Sequence, residues 1–116
     1  MSSKIIPIVM CGGAGTRLWP VSRDSMPKQF ISMFGGDSTF QRAMRLLSND
    51  KVFAPAIVIT NVDYRFTVQE QLQACGASAQ IVLEPKRRDS AAAVAAATEL
   101  ALARDPGAIV GVFAAD

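Results

Sequence analysis

The stretch IIPIVMCGGAGTRL, residues 5–18, decides the fold. Its first half is rich in β-branched residues, Ile5, Ile6, Ile8 and Val9, and runs into Gly12. A short continuous apolar run closed by a turn signal reads as a strand buried on both faces, the habit of parallel sheets. Pro7 interrupts the run, and sheets tolerate proline mainly at edges, strand starts and bulges. The second half opens a loop that holds Gly12, Gly13, Gly15, Arg17, Arg23 and Lys28. Glycines let backbone approach oxygen atoms closely, and consecutive N–H groups form an anion-binding nest. Arginine grips phosphate with two parallel bonds, and lysine adds a compact charge. A strand that feeds such a loop points to a phosphate chain as its guest.

The rest of the chain alternates. Ser38-Thr39-Phe40-Gln41 is a capping box, and Phe40, Ala43, Met44 and Leu47 follow at helical spacing. Ala56–Thr60 is a second strand. Asp63 is placed to cap a helix with Tyr64, Val68, Leu72 and Cys75 on its apolar side, ended by Gly76. Gln80–Glu84 is a third strand, closed by Pro85. Ala91–Arg104 is an alanine-rich helix stopped by Asp105-Pro106-Gly107, and Ile109–Phe113 is a fourth strand. Strands and helices in strict alternation predict right-handed crossovers and an α/β fold, a doubly wound, mostly parallel sheet with helices on both faces.

Composition narrows the function. A chain of 116 residues, half of them hydrophobic, suits one compact domain. The net charge is only +2, against the marked basic face of a nucleic-acid binder. There is no histidine, which removes histidine acid–base work, a Ser-His-Asp triad and imidazole ligands from this chain. A metal would need oxygen ligands, as Mg²⁺ prefers. Cys11 and Cys75 form no C-x-x-C pair and read as free thiols in a reducing compartment. No signal-peptide pattern opens the chain, and no apolar run approaches the ~20 residues of a membrane span. A cytoplasmic setting without membrane contact is expected.

Two phosphate-loop motifs fail. No G-x-x-x-x-G-K-[ST] string occurs, and Gly13-x-Gly15 is followed by Leu18 where the dinucleotide fingerprint needs glycine. The longer string fits elsewhere. Gly12-Gly13-Ala14-Gly15-Thr16-Arg17-Leu18-Trp19-Pro20, then Ser22-Arg23 and Pro27-Lys28-Gln29-Phe30, resembles the signature of sugar-nucleotide pyrophosphorylases. The W-P-x-S-R and P-K-Q-F parts are similar to bacterial mannose-1-phosphate guanylyltransferases, also called GDP-mannose pyrophosphorylases. Downstream, Asn61, Arg65-Phe66 and Glu70-Gln71-Leu72 follow that family's N-x-x-x-R-F-x-x-x-E-Q-L pattern. Glu84-Pro85 and Arg88-Asp89-Ser90 stand where it has E-P-x-x-R-N-T, and Phe113–Asp116 matches the run that ends in its metal-binding aspartate. Asp89-Ser90 in place of Asn-Thr, Arg87 in place of a frequent glycine, and Cys11 in place of a small residue are departures.

The resemblance implies a Rossmann-like nucleotidyltransferase fold, truncated after the fourth strand. Residues 1–116 would be the N-terminal nucleotide-binding part of a longer domain. The implied reaction is nucleotidyl transfer from GTP to mannose 1-phosphate, with Mg²⁺ as cofactor, giving GDP-mannose and pyrophosphate. Gly12, Gly13, Gly15 and Thr16 would contact the nucleotide. Arg17 would grip the β- and γ-phosphates, and Lys28 would stabilise charge at the α-phosphate. Glu84 would contact the nucleoside, Arg88, Asp89 and Ser90 would either complete its pocket or only begin the next helix, and Asp116 would hold the metal. Glu84 is open between a guanine contact and a surface glutamate at a strand end. Arg23 is open between phosphate steering and a structural ion pair. Trp19 reads as a packing anchor. Asn61 and Arg65 read as support for the fold. In doubly wound sheets the first and fourth strands are often neighbours, which would bring Asp116 opposite the glycine loop. A chain that stops after a strand leaves an open edge, so self-association is expected, and the isolated 116 residues are expected to be inactive.

Overall fold

The computed structural model describes residues 4–11, 28–32, 36–84 and 90–115, with Lys28 and Ser90 described in their backbone only. Four strands form one parallel sheet: β1 (Ile5–Cys11), β2 (Ala56–Asn61), β3 (Ala79–Glu84) and β4 (Ile109–Ala114). Their spatial order is β3-β2-β1-β4. Helices α1 (Thr39–Leu46), α2 (Arg65–Cys75) and α3 (Ser90–Arg104) make the crossovers. A 3-10 turn, Lys28–Phe30, lies between β1 and α1, and another, Val62–Tyr64, leads into α2.

The period-2 alternation of the strands sorts the core into two layers. Val9, Cys11, Ala56 and Val58 face Phe40 and Met44 of α1 and Val68 and Leu72 of α2. Ile6, Ile8, Ile57 and Ile59 face Ala93, Ala97 and Ala101 of α3. The three buried alanines recur every four residues and present a flat stripe that lets the helix settle closely on the isoleucines. Helices therefore cover both faces, as expected for a doubly wound sheet.

Pro7 sits inside the central strand β1, and the register explains how. Pairing of β1 with β2 begins only at Ile8↔Ile57, after an isolated bridge Ile5↔Phe53. Pro7 falls in the gap before that ladder, where its missing N–H leaves no carbonyl of β2 without a ladder partner. The strands extend one residue beyond the sequence reading at Asn61, Ala79 and Ala114, and β1 runs through Cys11.

The helix ends follow local chemistry. Ser38 Oγ accepts from the Gln41 N–H (3.2 Å), and Gln41 Oε1 accepts from the Ser38 N–H (3.0 Å), the expected capping box. The expected cap at Asp63 is corrected: Asn61 Oδ1 accepts from the Asp63 N–H (2.9 Å), so Asn61 caps the 3-10 turn and Asp63 lies inside it. Gly76 ends α2 at φ 71°, with the Ala77 N–H donating to Leu72 O (3.0 Å). At the foot of α3, Asp105 Oδ1 accepts from the Gly107 N–H (3.1 Å) and turns the chain into β4. No disulfide joins the two cysteines: Cys11 is buried in the core and Cys75 is half-buried.

Candidate functional site

The strand order reverses between β1 and β4. From β1 the chain steps outward to β2 and β3, then crosses back to β4 on the other side of β1. Open α/β sheets bind ligands at such a switch point, outside the carboxyl ends of the strands. All four strands are parallel, so the segments after β1, β3 and β4 leave from this one edge. The first and fourth strands are neighbours, as expected. Met10 pairs with Ala114, and the Ala115 N–H donates to Met10 O (3.1 Å). Buried Ala115 thus stands beside the end of β1, one residue before Asp116 and one strand from the start of the glycine loop.

Gly12, Gly13, Gly15, Thr16, Arg17, Arg23 and Trp19 lie outside the described residues, as do Arg88, Asp89 and Asp116. The described backbone frames them. The glycine loop begins after Cys11 and ends where Lys28 starts the 3-10 turn. The segment holding Arg88 and Asp89 joins Glu84 to Ser90, the first residue of α3. Ser90 therefore stands at a helix N-terminus on the carboxyl edge, where the dipole and free N–H groups favour anions.

Glu84 is described in full, and the surface reading does not hold for it: it is only 5% exposed. It pairs with Asn61 at the last rung of the β2–β3 ladder. Three strand spacings, about 14 Å, separate β3 from β4 across the sheet. The edge thus has room for an elongated ligand with one end at Glu84 and the other at the switch point.

Polar burial concentrates at this edge. Gln29, Ser38, Gln41, Thr60, Asn61 and Glu84 are the buried polar side chains among the described residues. Gln29 Nε2 donates to Cys11 O (3.3 Å), and Thr60 Oγ1 reaches the same carbonyl at a long 3.5 Å. Gln71 Nε2 donates to Phe30 O (2.7 Å), while Gln71 Oε1 accepts from Ser38 Oγ–H (2.6 Å). Gln41 Nε2 donates to Gln71 O (3.1 Å). The Phe30 ring packs edge-on against Phe40 at 5.5 Å and tilted against Tyr64 at 6.0 Å. Gln29 and Gln71 stand within sequence motifs that assign them no role of their own. Their signal was faint: a glutamine beside an aromatic or leucine that packs inward. Asn61 supports the fold by its cap, and exposed Arg65 lays its guanidinium over the exposed Phe66 ring at 4.7 Å.

Among the described residues, no three histidine, cysteine or acidic side chains stand together to hold a metal. No described helix is long and apolar enough to cross a membrane. A hollow of about 230 Å³ lies at the opposite end of the sheet, lined by Leu47, Phe53, Pro55 and Gly76 among others.

The nucleotidyl transferase family model matches residues 6–116, and the chain belongs to that family. Several of its curated relatives carry a narrower name. It is 46% identical over 101 residues to a mannose-1-phosphate guanylyltransferase of Sinorhizobium fredii, covering 86% of this chain and 20% of that protein. It is 42% identical over 113 residues to one from Escherichia coli, covering 97% of this chain and 24% of the relative. A crystal structure from Thermus thermophilus, described as a mannose-1-phosphate geranyltransferase, superposes with a TM-score of 0.71 at 30% identity. That match covers 97% of this chain and 32% of the other. The chain thus spans a quarter or less of the length of these curated relatives.

Proposed function

We propose that this chain is the nucleotide-binding part of an enzyme that transfers a guanylyl group from GTP to mannose 1-phosphate. The observation that carries the reading is the convergence at one edge. The glycine–arginine loop, the Glu84–Ser90 connection and the end of β4 all leave from the carboxyl ends of a parallel sheet, at its switch point. The names of its relatives support the choice of base and sugar.

In this reaction a phosphate oxygen of mannose 1-phosphate forms a bond to the α-phosphorus of GTP. The bond from that phosphorus to the β-phosphate oxygen breaks, and pyrophosphate leaves with the electron pair. Both reactants are anions, so the protein's work is to hold them in line and to neutralise charge on the leaving group. Gly12, Gly13, Gly15 and Thr16 offer backbone N–H groups to the phosphates. Arg17 grips the β- and γ-phosphates, and Lys28 stabilises the charge that grows at the α-phosphate. Glu84 accepts from guanine N1–H and N2–H, with Arg88, Asp89 and Ser90 completing the nucleoside pocket. Mg²⁺ commonly binds through one or two carboxylates plus substrate phosphates. Asp116 is the carboxylate proposed for it, and the ion would supply charge neutralisation to the triphosphate.

A panel of GTP, UTP and dTTP, each with several sugar 1-phosphates and pyrophosphate release as the readout, tests the reading on the full-length protein. GTP with mannose 1-phosphate is the expected best pair. A preference for UTP or dTTP assigns another sugar-1-phosphate nucleotidyltransferase and ends the guanylyl reading. The isolated 116 residues are expected to show little turnover.

We also propose that the isolated chain associates with a second copy of itself through β4. That strand has one neighbour in the described sheet, and the run Ala108–Ala115 carries no charge. Ile109, Val112 and Phe113 are 58%, 51% and 36% exposed. Uncharged, unpaired edges of this kind invite strand pairing.

A further inference from the structure

The turn Lys28–Phe30 is fastened from two sides. At one, buried Gln29 reaches back eighteen residues and donates to Cys11 O, the last carbonyl of β1. At the other, Gln71 of α2 donates to Phe30 O. The first bond ties together the two ends of the glycine loop, since Cys11 precedes it and Lys28 follows it. The second ties the turn to the helical layer, where Phe30 is already wedged against Phe40 and Tyr64. A single 3-10 turn is too short to fix its own orientation, so these side chains set it.

We infer that Gln29 and Gln71 are positioning residues that hold the turn beginning with Lys28 against the carboxyl end of β1. The inference rests on the role proposed above for Lys28 at the α-phosphate. It adds the reason that lysine stands at a fixed place. Gln71 is held in turn: its Oε1 accepts from Ser38, and its carbonyl accepts from Gln41, the two partners of the α1 capping box. The start of α1, the middle of α2 and the turn thus form one hydrogen-bonded unit. A carboxamide is required at position 71 because its two ends do opposite work. Oε1 accepts and Nε2 donates, whereas a carboxylate only accepts. Gln71→Glu keeps the shape, removes the bond to Phe30 O and sets two acceptors against each other.

The test is steady-state kinetics of the full-length protein with the nucleotide and sugar phosphate it uses best. Gln71→Glu is expected to lower kcat on the order of 10- to 100-fold, the scale of a small misplacement of a reacting group, with KM for the nucleotide within about threefold. Val68→Ala is the control, since it loosens the buried side of the same helix at a residue outside this hydrogen-bonded unit. It is expected to keep kcat within about twofold even where its melting temperature falls as far. In a Lys28→Met background, Gln71→Glu is expected to cost nothing more, because a residue that acts through Lys28 has nothing left to position. An unchanged kcat in Gln71→Glu overturns the inference, as does an equal loss in Val68→Ala or full additivity in the double variant. Loss in Lys28→Met with none in Gln71→Glu overturns the inference alone. An unchanged Lys28→Met overturns the role of Lys28 and the inference with it.

Discussion

Replacing Glu84 by glutamine changes one atom of a buried side chain and should change which purine the protein accepts. In the proposed site the carboxylate would offer two acceptors to guanine N1–H and N2–H. Glutamine keeps one acceptor and turns the other into an NH₂ that faces a donor. Glu84 is 5% exposed, so water has little room to repair the mismatch. A hydrogen bond to a charged group contributes about 1.5–3 kcal/mol, which at 1.4 kcal/mol per decade is a loss of about 10- to 150-fold. The assay is kcat/KM with GTP and with ITP, whose base lacks the 2-amino group. Glu84→Gln is expected to lose most of its efficiency with GTP and less with ITP, so the preference for GTP collapses. The melting temperature, read in parallel, separates this from a folding defect. An unchanged GTP-to-ITP ratio, with kcat/KM for GTP within about twofold of the parent, refutes the assignment of Glu84 to the base.

Three further expectations concern the scaffold. Gly76→Ala should destabilise by about 1–2 kcal/mol in urea denaturation: an added Cβ meets nothing within 4 Å, so the cost is the left-handed backbone alone, and a gain in stability contradicts this. Ala97→Leu should cost about 1–3 kcal/mol or lift α3 from the sheet, because Ala97 is fully buried against the isoleucine layer; a neutral result in the same assay speaks against that packing. Val112→Lys should shift the isolated 116-residue chain toward monomer in sedimentation velocity, since a charged edge strand resists pairing, and an unchanged distribution removes β4 as the associating edge.

Much of this architecture is legible in the order of residues. Ile5–Val9 followed by glycines declares a buried parallel strand, and the alanine stripe of α3 declares a helix lying flat on a sheet. Ser38 and Gln41 announce the start of α1 by chemistry that acts over three residues. The misreadings arise where distant groups decide. Asn61 takes the cap expected of Asp63 because it ends a strand whose register sets it there. Glu84, left open by its sequence, is buried at the last rung of the β2–β3 ladder, a placement that no local pattern states. The work of Gln29 and Gln71 is illegible in the sequence for the same reason. Their partners, Cys11 and Phe30, lie 18 and 41 residues away, so their work is visible only after the chain has folded. The glycine loop is the reverse case: the chemistry proposed for it is written in consecutive residues, and the fold fixes only the strand end from which it departs.

The most direct measurement of the central claim follows atoms. Mannose 1-phosphate carrying heavy oxygen in its phosphate group is incubated with GTP and the full-length protein, and the products are weighed by mass spectrometry. Attack of the sugar phosphate on the α-phosphorus predicts GDP-mannose that retains the whole label and an equal amount of unlabelled pyrophosphate. Label in the pyrophosphate, or no GDP-mannose at all, contradicts the account.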